Sequence, residues 1–164
     1  MKAYHVVLWG EGPLRKEAFH PPRPGKPPLW KPSGGLWLST WKKGWGPEWG
    51  IWWLLHYHTP SLKDLQAPVW EVDLKGLTLR KAGLTFPDFS DPKVDGWIVL
   101  PKALEAAHRT LPEKQQAKLP KWWTAWDVST VWLRVWPEGR IRFLGTLEEV
   151  CPKKAVQALK TALE

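Results

Sequence analysis

Fifteen tryptophans in 164 residues constrain this chain more than any other feature. An indole is large, carries one N–H to satisfy and is costly to leave in water, so a domain of this size cannot expose many of them without associating. Most of the fifteen are therefore expected at least half-buried in one continuous core, with a proline-rich loop packed over part of it. The length suits one domain, 1–164, that buries roughly two thirds of its unfolded surface without disulfide staples. With 43% hydrophobic and 24% charged residues, a disordered chain and a coiled coil are both excluded.

Cys151 stands alone, which rules out an intramolecular disulfide and a cysteine zinc site; it reads as a packed thiol, and no metal is expected. Seventeen prolines beside one Met, one Cys and no Asn give the composition of a protein that works hot: few thermolabile side chains and stiffened loops. Lys plus Arg exceeds Asp plus Glu by 24 to 16, so the chain is a basic protein with net charge +8. Seventeen of the 24 cations are Lys, which attracts polyanions in general but lacks the planar fork that reads bases. Solubility at high temperature explains the same charge. No stretch approaches the ~20 apolar residues of a membrane span. The short apolar run from Met1 to Trp9 is not a secretory signal, so a cytoplasmic location without a membrane partner is expected.

Local patterns predict an α+β chain with a mixed or antiparallel sheet and flanking helices. Residues 3–9 read as a first strand ended by Gly10-Glu11-Gly12-Pro13. The stretch 20–35 holds six prolines and is neither helix nor central strand. Leu36 to Thr40 reads as a second strand, expected to pair near the first. Helix is expected from Gly46-Pro47-Glu48, with Pro at its first position, to about Tyr57. Further strands are expected at 69–74 and 94–100 and a helix over 101–111. The alternation of Val131, Leu133 and Val135 against Ile141 and Phe143 across Pro137-Glu138-Gly139 predicts a C-terminal hairpin. Residues 152–164 close the chain as an amphipathic helix, with Glu148 and Glu149 as its first-turn acids. His56 and His58 lie two apart, on different helix faces, which suits helix carbonyls better than a metal. His20 lies in the proline loop, and His108 falls on a helix that reads as exposed.

Chemistry-bearing residues gather in three stretches: Tyr4-His5 on the first strand, Lys31-Pro32-Ser33-Gly34-Gly35-Leu36-Trp37-Leu38-Ser39-Thr40 around the second, and Trp126-Asp127 with Ser129 before a late strand. This arrangement resembles the ADP-ribosyltransferase fold, and the Lys-Pro-x-Gly-Gly-Leu-Trp-x-Ser stretch is similar to that of small bacteriophage and mobile-element proteins. The resemblance implies NAD as cofactor, with Tyr4, His5, Trp37, Ser39 and Thr40 as its binding residues. It also implies Asp127, where the family usually has Glu, as the catalytic acid that stabilises the sugar cation. An anion at the ribose and aromatic walls that strip water both suit that chemistry. Read without the resemblance, Asp127 is a turn carboxylate bonding backbone amides and His5 a half-buried strand histidine. The alternative function is a non-enzymatic, phage-encoded, Trp-rich protein docking on nucleic acid or on a host protein such as RNA polymerase.

Overall fold

The computed structural model describes residues 1–8, 14–20, 22–23, 31–56 and 60–164. In chain order the strands and helices are β1 (Lys2–Val6), β2 (Leu36–Ser39), β3 (Trp41–Lys42), β4 (Gly46–Pro47), α1 (Glu48–His56), β5 (Pro68–Asp73), β6 (Leu79–Lys81), β7 (Gly96–Val99), α2 (Pro101–Arg109), α3 (Glu113–Lys118), β8 (Thr130–Leu133), β9 (Ile141–Thr146), α4 (Leu147–Val150) and α5 (Lys153–Leu163). Short 3-10 turns cover Lys16–Ala18, Leu62–Gln66 and Trp122–Ala125. The chain is α+β with mixed strand pairing, as its patterns predict. No helix among the described residues is long and apolar enough to cross a membrane.

Proximity along the backbone gathers the chain into two compact units. The first comprises Met1–Ala18, Leu38–Lys75 and Pro137–Glu164; the second comprises Phe19–Trp37 and Gly76–Trp136. In the first unit β1 lies between β2 and β5, antiparallel to both, and β5 pairs antiparallel with β9. Tyr4 sits opposite Ser39, so the two strands expected to pair do so. The Val6 and Val69 side chains of paired strands meet α1, α4 and α5 in a core with Ile51, Trp53, Leu54, Leu65, Leu147 and Leu159. Each such aliphatic residue, fully buried, contributes about 1.5–3 kcal/mol of transfer free energy. Cys151 is buried in the same core, as expected of a packed thiol, and burial pushes its pKa up to about 11.

In the second unit β6 runs parallel to β7, and β7 antiparallel to β8. Its core is aromatic: Phe89 stacks on Trp126 at 5.7 Å and meets Trp97 and Trp132 edge-on at 5.9 and 5.4 Å. Trp122 and Trp123, both about 1% exposed, complete it. All thirteen described tryptophans are more than half-buried, Trp41 being the most open at 37%. Ten of them belong to or pack against two separate clusters of buried residues, where one continuous core was expected.

Several local expectations are corrected. The C-terminal hairpin does not form: β8 pairs with β7, and β9 with β5. Alternation specifies a strand with an apolar face but not its partner. All four β8 residues are buried, whereas β9 leaves Arg142 and Phe143 exposed, so the two strands occupy different environments. Between them Arg134 is drawn away by its bonds to the carbonyls of Val94 and Pro92. Pro47 is not the first residue of α1; it sits in β4 opposite Trp41, and the helix starts at Glu48. Glu148 and Glu149 belong to the first turn of α4, not of the last helix, because Thr146 and Glu149 form a reciprocal capping box. His108, expected on an exposed helix, is 2% exposed and lies edge-on to Trp123 at 5.3 Å. Tyr57, His58, Trp9 and half of the proline stretch lie outside the described residues; within that stretch, Arg23 and Ser33 exchange backbone hydrogen bonds of 2.8 and 3.0 Å.

Candidate functional site

In the second unit the Gly34-Gly35 pair turns the chain into β2 with φ of 69° and 68°, values that glycine adopts without the Cβ penalty. The Gly35 amide donates to the His20 carbonyl at 3.0 Å, tying the turn to the start of the proline stretch. Two residues on, the half-buried Trp37 donates its indole N–H to the Gly34 carbonyl at 3.0 Å. Its ring rests against Trp126 at 5.0 Å, tilted by 32°. Trp126 is 3% exposed and itself stacks on Phe89, so Trp37 is the outer member of an aromatic stack rooted in the core. The residue that follows Trp126 is Asp127, whose side chain is exposed. The 3-10 turn Trp122–Ala125 delivers this pair: the Trp126 amide donates to the Trp123 carbonyl at 2.9 Å as the chain leaves the turn. The structure thus joins Trp37 to Trp126 by ring contact, and the chain runs directly from Trp126 to an exposed Asp127.

The other sequence candidates lie in the first unit and have different surroundings. Ser39 is 1% exposed and its hydroxyl accepts the Trp49 amide at 3.0 Å in the first turn of α1. Thr40 donates its hydroxyl to Glu48 at 2.9 Å and accepts the Glu48 amide through its carbonyl. Both residues therefore anchor the start of α1. Tyr4 shares a face with its cross-strand partner Glu71, whereas His5 pairs with Trp70 on the opposite face, because side chains alternate along a strand. Tyr4, Ser39 and His5 consequently do not line one side of the sheet. The Tyr4 ring stands edge-on to Trp41 at 5.2 Å, and its hydroxyl pKa is raised, first by burial and then by the Glu71 carboxylate, against a lowering from Arg142.

Sequence reasoning passed over the charged groove beside Tyr4. Lys2 and Arg142 each approach Glu71 at 3.3 Å, and an open cavity of about 470 Å³ is bordered by Lys2, Glu71, Asp73, Glu138, Arg140 and Arg142. The alternation of Glu71 and Asp73 on β5 signals an acidic face, but their cationic partners come from β1 and β9 and emerge only from strand pairing. Glu71 is 12% exposed and held by two cations; the Lys75 amide is the first cause that lowers the Asp73 pKa. Arg140 donates to the Lys75 carbonyl. Lys2, Arg142 and Glu71 thus satisfy one another, while Asp73 and Arg140 are engaged by the Lys75 backbone. Among the described residues no three His, Cys, Asp or Glu side chains gather as a metal site would require.

No protein family, curated protein or solved structure matches the chain.

Proposed function

We propose that the chain is an ADP-ribosyltransferase-like protein that binds NAD or a related nucleotide, with Trp37 and Trp126 as the aromatic wall and Asp127 as the carboxylate facing the ribose. The observation that carries this reading is the stack of Trp37 on Trp126 immediately before an exposed Asp127. A flat heterocycle gains from an indole face that is half-open and cannot collapse, since the ring behind it is already packed. When the glycosidic C–N bond breaks, its electron pair leaves with nicotinamide, which departs neutral, and the positive charge remains on the ribose. A carboxylate at that face stabilises the transition state more than the bound substrate, which is what raises a rate. The cation is then captured by the nucleophile of an acceptor.

Ser39 and Thr40 are left out of the proposed contacts because both are engaged at the start of α1. The alternative of a basic protein docking through exposed indoles loses support from the burial of the thirteen described tryptophans, none more than 37% exposed.

The test is nicotinamide release from NAD, assayed hot, with calorimetric NAD titration alongside. Wild type is expected to release nicotinamide, and Asp127→Ala to lose release while retaining most NAD affinity. Unchanged release by Asp127→Ala removes the assigned role, and a wild type that neither binds NAD nor releases nicotinamide removes the reading.

A further inference from the structure

The Gly34 carbonyl accepts two indole N–H groups. Trp37 donates to it at 3.0 Å and Trp132, from ninety-eight residues further along the chain, at 3.1 Å. A carbonyl oxygen has two lone pairs, so both are engaged and the peptide plane between Gly34 and Gly35 is pinned. Such pinning matters here because both glycines sit at positive φ, where the backbone would otherwise turn freely. Trp132 also presses on the turn from the side: a Cβ placed on Gly35 would come within 2.6 Å of its ring. Trp132 itself is held by β8 and is 0% exposed, packed edge-on to Phe89 at 5.4 Å. It therefore touches the turn but has no access to a ligand.

We propose that Trp132 is a positioning residue for the nucleotide site: its indole N–H fixes the Gly34 carbonyl, and that carbonyl fixes the ring of Trp37. The inference rests on the nucleotide reading above for its binding readout, and on the geometry of the turn alone for its ring readout. Without the Trp132 donor the Gly34 carbonyl is held only by Trp37 and, across the same peptide, by the Gly35 amide on the His20 carbonyl, so the peptide gains room to tilt, the acceptor of Trp37 moves with it, and the ring loses its set orientation against Trp126. Binding then requires ordering Trp37 at the moment of contact, which weakens affinity.

The experiment compares Trp132→Phe with Trp123→Phe. The second variant is the packing control: Trp123 is just as buried, and its N–H bonds Glu105 at 2.9 Å, not Gly34. Two quantities are read in each protein: hydrogen exchange of the Trp37 indole N–H by NMR, and the NAD dissociation constant by calorimetry. The expected result is faster exchange at Trp37 and about three- to tenfold weaker NAD binding in Trp132→Phe only. Trp37 exchange no faster in Trp132→Phe than in Trp123→Phe overturns the proposal, whatever the titration shows. If wild type does not bind NAD but Trp37 exchange accelerates selectively, the positioning stands and the nucleotide reading falls. Should wild type bind NAD and the two variants weaken it equally, Trp132 has only a packing role and the proposal fails.

Discussion

Gly35→Ala tests the packing of the turn on Trp132 with a single added methyl group. The new Cβ would lie 2.6 Å from Cε2 and Nε1 of Trp132 and 2.7 Å from the Leu133 carbonyl oxygen. The last contact is with strand backbone, which cannot rotate away as a flexible side chain would. Two costs add: roughly 1–2 kcal/mol for a Cβ in the left-handed region and roughly 1–3 kcal/mol for overpacking a tight site. Their sum, about 2–5 kcal/mol, lowers the midpoint of thermal unfolding by roughly 5–15 °C for a chain of this size. Gly44→Ala supplies the reference, since Gly44 has φ of 82° but a Cβ there meets nothing within 4 Å. It carries only the conformational cost. Unfolding by urea and by heat, followed by tryptophan fluorescence and circular dichroism, measures both variants. Gly35→Ala no more destabilising than Gly44→Ala would refute the close approach of the turn to Trp132.

Ser39→Ala is expected to cost about 1 kcal/mol, up to ~2, because the Trp49 amide in the first turn of α1 loses its acceptor; an unchanged urea midpoint would contradict this. Burial raises the Cys151 pKa to about 11 from 9.0, so the thiol keeps its proton in the native state. Its contribution to stability is full below 9.0 and is lost as pH rises toward about 11, and thiolate-specific alkylation of the native protein at pH 8 should be far slower than in urea. Native and unfolded rates that coincide would refute the burial. The Glu105 carboxyl is held below the usual carboxylate range, first by the hydrogen bond from Lys121 and then by the one from the Trp123 indole. Its stabilisation is complete above its ordinary value of 4.5 and is lost as pH falls through the lowered folded value, so Glu105→Gln should flatten the acid limb of the stability profile. An acid limb of unaltered slope would count against it.

Local signals carried the α+β class, the pairing of β1 with β2, the bounds of α2 and α5, and the burial of the indoles, because each depends on short-range periodicity or on the cost of exposing a ring. The partners of the two late strands were not legible. The β8 and β9 segments alternate as strands do, yet seven residues separate them and each joins a different neighbour. Two-residue bridges such as β3 with β4 carry too little pattern to distinguish Pro47 in a strand from Pro47 opening a helix. In the candidate site Trp37 and Asp127 stand out by residue type and motif alone. Their connection through Trp126 is a packing fact, and so is the second indole on Gly34. Ser39 shows the opposite limit: a hydroxyl of the right kind on the right strand is engaged at a helix start. His5 and Tyr4 are adjacent in sequence, and for that reason they face opposite ways.

The most direct test of the nucleotide site is an NMR titration of NAD into isotopically labelled protein, followed through the indole N–H resonances. Each tryptophan gives one signal, so the spectrum reports where along the chain the ligand lies. Saturable shifts are expected at Trp37 and Trp126, with the first-unit indoles Trp49, Trp52 and Trp70 unmoved. Silent Trp37 and Trp126 resonances at saturating NAD, or shifts confined to the first unit, would contradict the nucleotide reading.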